Sequence, residues 1–181
     1  RERLAAEWTG ARLFFLMGAT MLINLSLFFF GQTFRLPQDE AGAANFPVLA
    51  AVIVGNILTV IPAGRLSDRV GRKPVIYVAC AVAGLGMLIV AVAPAIPVVI
   101  VGAALFGAGS GMFLAVDWAL MTDIIPKASS GRYMGISNVA TATAGIFSLM
   151  TGGTLMDAVN DAATYGDGPR AAFGLAVAYF A

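Results

Sequence analysis

Two acids stand where an acid needs a reason. Asp68 falls in the run Gly64-Arg65-Leu66-Ser67-Asp68-Arg69-Val70-Gly71-Arg72-Lys73, and Asp117 falls inside a long apolar stretch, FGAGSGMFLAVDWAL. With Arg65, Arg69, Arg72 and Lys73 around it, Asp68 can accept charge-assisted hydrogen bonds or cap a nearby helix N-terminus. Gly64 lets another helix approach closely, and Gly71 allows a sharp reversal before Arg72 and Lys73 face lipid headgroups. Fixing membrane topology would account for Arg72 and Lys73 alone, but not for Asp68 or the two glycines. Asp117 lies six residues before Asp123, about 9 Å along a helix. A charge at the centre of a membrane helix costs about 2.5–3.5 kcal/mol, less near an interface, so something must offset Asp117. It is either paired with a cation, such as Arg65, Arg132 or one outside the chain, or protonated and able to carry a proton.

Other chemistry is excluded by composition. The chain has no histidine and one cysteine, Cys80. Histidine acid–base catalysis, a Cys/His zinc site and an internal disulfide are therefore out of reach. Cys80 reads as a small packing residue. No cofactor and no metal is expected, and a net charge of +1 gives no bulk basicity for nucleic acid. The chain is not expected to be an enzyme.

The elements that must hold these residues are apolar helices. The chain is 59% hydrophobic and 12% charged, against about 25% charged in soluble domains. Its apolar residues fall in blocks of about 20, the length that crosses a hydrocarbon core. The expected fold is all-α, a polytopic transmembrane helical bundle, with spans at about 13–34, 46–66, 74–93, 97–122, 133–159 and 171–181. The last is too short to cross. The chain starts at Arg1 and stops in an apolar run, so it reads as an excerpt of a longer chain. Arg1, Arg3 and Arg12 read as a charged lead, and residues 35–45 as a polar loop. In the fourth span Ala103, Gly107, Gly111 and Ala115 recur every four residues, a smooth ridge for close helix packing. Ser148 and Gly152 repeat the idea in the fifth.

Basic residues orient the bundle. Arg1, Arg3, Arg12, Arg65, Arg69, Arg72, Lys73, Lys127 and Arg132 fall on one side, and only Arg35 and Arg170 on the other. The positive-inside rule makes the first side, with the N-terminus, cytoplasmic.

The run from Gly64 to Lys73 matches the pattern G-x-L-(S/A)-D-(R/K)-x-G-R-(R/K) at every fixed position. Such a match arises by chance about once in a million positions or less. On it the chain resembles the major facilitator superfamily, and the resemblance implies one six-helix half of a twelve-helix transporter. It also implies that Gly64, Asp68, Arg69, Gly71, Arg72 and Lys73 form a cytoplasmic latch between the two halves. The strength of the motif favours the N-terminal half. Against that, the fourth span lacks the arginine common in N-terminal halves. The segment DWALMTDIIPKASSGRYMGISN (117–138) is also similar to a tenth-to-eleventh helix region of glycoside-pentoside-hexuronide and sucrose-type members, and on balance the resemblance implies the C-terminal half.

The resemblance further places the first and fourth helices around a central cavity. Asn24 and Gln32 on the first, Asn56 on the second, and Ser110, Asp117 and Trp118 on the fourth become candidates for the substrate or proton path, with Arg132 a gating candidate. Neighbouring helices can satisfy the amides just as well, and Trp118 can be an interfacial anchor rather than a stacking surface. The expected function is secondary active transport of a small solute by alternating access, sugar-like and proton-coupled (a symporter), in the cell's inner or plasma membrane. The alternatives are a drug:proton efflux pump and a non-transporting scaffold or sensor. The expected partners are the solute, protons, the lipid bilayer and the other six-helix half, with no nucleic acid.

Overall fold

The computed structural model describes residues 2–124, 130–162 and 164–181. Among them the regular structure is entirely helical: α1 Glu2–Phe28 running into a π-helical turn Phe29–Thr33, α2 Gln38–Val70, α3 Arg72–Val92, α4 Ile96–Ile124, α5 Ser130–Ala162 and α6 Gly168–Phe180. Five helices are long and apolar enough to cross a membrane, and α6, with 13 residues, is not among them.

Several ends differ from the sequence reading. α1 begins at Glu2, because nothing between Glu2 and Arg12 stops a helix: there is no proline, and most residues have good helix propensity. Arg12 is therefore inside α1, not in a lead before it. α2 begins at Gln38, inside the stretch read as a polar loop. Asp39 and Glu40 occupy its first turn, where acids complement the helix dipole, and the Ala41 N–H donates to Pro37 O at 2.8 Å. α6 starts at Gly168 with Pro169 in its first turn, a position that tolerates a missing N–H.

α4 packs on α2 and α3, and α1 packs on α5 and α6, while α3 meets α6. Exchanging the first three helices for the last three maps each of these packings onto another, as in transporters built from internal repeats. The ridge at Gly107 and Gly111 faces α2. A Cβ on Gly107 would fall 2.7 Å from Val52 Cα, and one on Gly111 2.5 Å from Thr59 Oγ1. Thr59 Oγ1 donates to Ala108 O at 2.8 Å across the same seam. A second seam, against α3, uses Gly86, Gly102 and Gly109; the Cβ of residue 86 would lie 2.7 Å from Gly102 O. Arg170, at the start of α6, donates to Ala91 O and Ala93 O at 3.3 and 2.8 Å and so caps the end of α3.

Candidate functional site

The turn between α2 and α3 is built by its own residues. Gly71 has φ +93°, a conformation that strains any side chain, and its N–H donates to Ser67 O at 3.1 Å. Ser67 is buried, and its hydroxyl donates to Gly64 O at 2.8 Å. The charged members point outward: Arg65, Asp68, Arg69 and Lys73 are exposed and Arg72 is half-buried. Asp68 has no ion pair or hydrogen bond among the described residues. It does not cap α3 either, since Gly71 holds the N-cap position with no side-chain bond. Open space also surrounds the place a Gly64 side chain would take. The turn is formed, and its acid is unengaged among the described residues.

Near the same end of the bundle lies a charged cluster. Arg12 Nε is 3.1 Å from Asp117 Oδ2, and the two residues are 4% and 0% exposed. The partner of Asp117 is thus Arg12 of α1, which sequence reasoning places outside the helix, and not Arg65. The side chain of Arg132 lies outside the described set. Arg12 Nη1 also donates to Ser137 Oγ on α5, and its guanidinium sits 5.5 Å from the ring centroid of Trp118, a cation–π distance. The Nε–H is not aligned for a hydrogen bond, and neither carboxylate oxygen accepts a well-aligned one among the described residues. Asp117 is held mainly by the Arg12 charge, with the Trp8 indole N–H beside it. Trp118 is 50% exposed, with Arg12 on its ring.

The remaining candidates are mostly consumed by helix–helix bonds. Asn56 Nδ2 donates to Ser110 Oγ at 3.1 Å, joining α2 to α4. Gln32 Oε1 accepts from Asn160 Nδ2 at 2.8 Å. Asn160 Oδ1 in turn accepts the Gly166 and Gly168 N–H groups at 3.0 Å each, and Thr33 Oγ1 donates to Gly166 O at 2.7 Å. This pins the π turn of α1 to the α5–α6 loop. Asn24 is half-buried and makes no hydrogen bond among the described residues. A cavity of about 700 Å³ opens between α1, α3 and α6, lined by Trp8, Phe15, Tyr77, Cys80, Tyr179 and Lys73 among others; Asn24, Asn56, Asp117 and Trp118 do not line it.

Comparison with known proteins bears on a bundle of this kind. The sequence profile of the Major Facilitator Superfamily matches residues 9–181. The chain belongs to the Major Facilitator Superfamily. It is similar to the multidrug resistance protein fnx1 of Schizosaccharomyces pombe, 29% identical over 153 residues, covering 84% of this chain and 27% of that protein. It is also similar to the minor myo-inositol transporter IolF of Bacillus subtilis, 26% identical over 116 residues, covering 64% of this chain and 26% of that protein. The POT family transporter PepTSo shares the fold, with a TM-score of 0.77 at 16% identity, covering 98% of this chain and 36% of that one. The chain spans about a quarter of the length of those two curated relatives. The chain is a multi-pass membrane protein of that family, with five helices of membrane-spanning length among the described residues.

Proposed function

We propose that this chain is one six-helix half of a secondary transporter that works by alternating access, and that the complete protein moves a small, weakly polar solute. The observation that carries the substrate class is the fate of the polar side chains. A site for a sugar needs several free donors and acceptors, because an unpaired polar group in a dry site costs binding energy. Here Asn56 is bonded to Ser110, Gln32 to Asn160 and Asp117 is paired with Arg12. Of the three candidate amides only Asn24 is left free among the described residues. The faces that α2 and α5 leave uncovered carry Ile53, Ile57, Ile61, Val139, Ile146 and Met150, all well exposed. Such faces suit the other half, lipid and an apolar solute.

The relatives point both ways, one being a multidrug resistance protein and another a myo-inositol transporter. The self-satisfied polar set favours the first. The pairing with Arg12 likewise supports reading Asp117 as a structural or gating ion rather than a mobile proton carrier. The basic asymmetry supports a cytoplasmic N-terminus in an inner or plasma membrane. The test is transport by the complete protein in proteoliposomes, with a lipophilic cationic dye and radiolabelled myo-inositol offered separately. Saturable dye movement without inositol movement is expected; saturable inositol uptake with no dye movement overturns the substrate class.

A further inference from the structure

The described helices group as α1, α5 and α6 on one side and α2, α3 and α4 on the other. Three seams join the groups, one of them where α1 and its π turn meet α2. Where α3 meets α6, Gly84 lies against Phe180 and Arg170 caps the end of α3. Where α1 meets α4 the packing is sparse: Phe15 stacks on Phe113 at 3.7 Å between centroids, Trp8 stacks on the same ring at 5.9 Å, and Arg12 pairs with Asp117. Ser137 extends that pair to α5. All of this lies at the end of the bundle that carries the α2–α3 turn, since Trp8 and Lys73 share a cavity wall.

A buried ion pair stabilises a fold only when its geometry is good and its remaining lone pairs are filled, and otherwise the desolvation cost exceeds the attraction. Here neither Asp117 oxygen accepts a well-aligned hydrogen bond among the described residues. A pair in that condition is a poor staple. Its position gives a better account of it: one side chain touches three helices drawn from both groups.

We propose that Arg12 is a positioning residue for transport, clasping α1, α4 and α5 through Asp117 and Ser137 in one conformational state and releasing them in the other. The clasp rests on the transport reading given above, and deepens it by naming the seam that opens within this half. Its incomplete hydrogen bonding keeps closed and open states near in energy, as a two-state element must be to respond to a ligand. The Trp118 ring gives the guanidinium a partner that moves with Asp117 on α4, so release must break both contacts together.

The experiment uses the complete transporter with Cys80→Ala and spin labels at position 10 on α1, where open space surrounds the glycine, and at the exposed position 114 on α4. An apolar pair, Arg12→Met with Asp117→Leu, removes the clasp without leaving a bare buried charge, so it avoids the folding failure a single substitution invites. The double variant is expected to keep its thermal stability, to shift the label distances toward the longer population by about tenfold, and to lose net transport while retaining solute binding. Arg12→Lys, which keeps the charge but loses the fork, is expected to fall between. Wild-type distances and wild-type transport in the apolar pair overturn the clasp. If no tested solute is moved even by the unaltered protein, yet the distances still shift, the clasp stands and the transport reading falls.

Discussion

Gly107 offers the sharpest test of how this bundle holds together. A Cβ there would fall 2.7 Å from Val52 Cα on α2, with further backbone atoms of Val52 around it. Ordinary carbon contacts lie at about 3.5–4.0 Å, so α2 and α4 would have to separate by about 1 Å at the point where they touch. Backbone cannot rotate away as a side chain can, and overpacking of this kind costs about 1–3 kcal/mol. Separation would also stretch the Thr59 Oγ1 bond to Ala108 O and the Asn56 bond to Ser110. Gly107→Ala therefore adds a single methyl group and is expected to lower stability by about 2 kcal/mol. Gly174→Ala in α6 is the matched control. Nothing lies within 4 Å of its Cβ position, and alanine for an exposed helical glycine is favourable by about 0.5–1 kcal/mol. Detergent-solubilised protein would be heated in steps and the surviving monodisperse fraction measured by fluorescence-detected size exclusion. The two variants should shift the midpoint in opposite directions. Equal midpoints, or a greater loss at Gly174, would refute the glycine-seam account.

Three further outcomes follow from the same geometry. Asp68→Asn should leave membrane insertion and thermal stability unchanged, because Asp68 bonds nothing among the described residues, yet reduce transport strongly in the complete protein; wild-type rates at equal expression would remove the latch role. In a Cys80→Ala background, a cysteine at Gly42 or at the exposed Tyr165 should react with an impermeant maleimide from outside intact cells and one at Lys73 should not, and the reverse pattern would invert the topology. Arg170→Met removes both caps on the end of α3, at about 1–3 kcal/mol, and should lower the thermal midpoint without altering solute selectivity, as measured by competition between two transported solutes.

Much of this architecture is legible in the chain. The ten residues from Gly64 to Lys73 point to the superfamily unaided, and the ridge at Gly107 and Gly111 is visible because its period is four. The second seam is hidden because Gly102 and Gly109 are seven apart and their partners, Gly86 and Ala83, are in another helix. The loop between the first two helices looks longer than it is, because Asp39 and Glu40 resemble loop residues although acids suit a first helical turn. Arg12 is the hardest residue to read. An arginine just ahead of an apolar run has the appearance of an interfacial flank, and nothing local says that the helix has already begun. Its partners, Asp117 and Ser137, are distant in sequence, so only the folded bundle brings them together. The same holds for Gln32 with Asn160, two amides that each look free for a solute.

Between membrane helices there is little hydrophobic drive, since lipid tails are as apolar as the side chains, and association relies on close packing and polar bonds. This bundle uses the two in different places. α4 meets α2 and α3 through glycines, with backbone against backbone at Gly55, Gly86, Gly107 and Gly109. α1 meets α5 through side chains, as where Met21 and Leu25 approach Gly152, and meets α4 through stacked rings and one ion pair. A seam of the first kind has one good arrangement and loses its packing if the helices part. A seam of the second kind can exchange one set of rotamers and partners for another at small net cost, because rings slide and a charge can be re-paired. The division of contacts therefore assigns rigidity to α2, α3 and α4 as a unit. It leaves α1 as the helix whose Arg12 end can move while its other end stays fixed by Gln32 and Thr33.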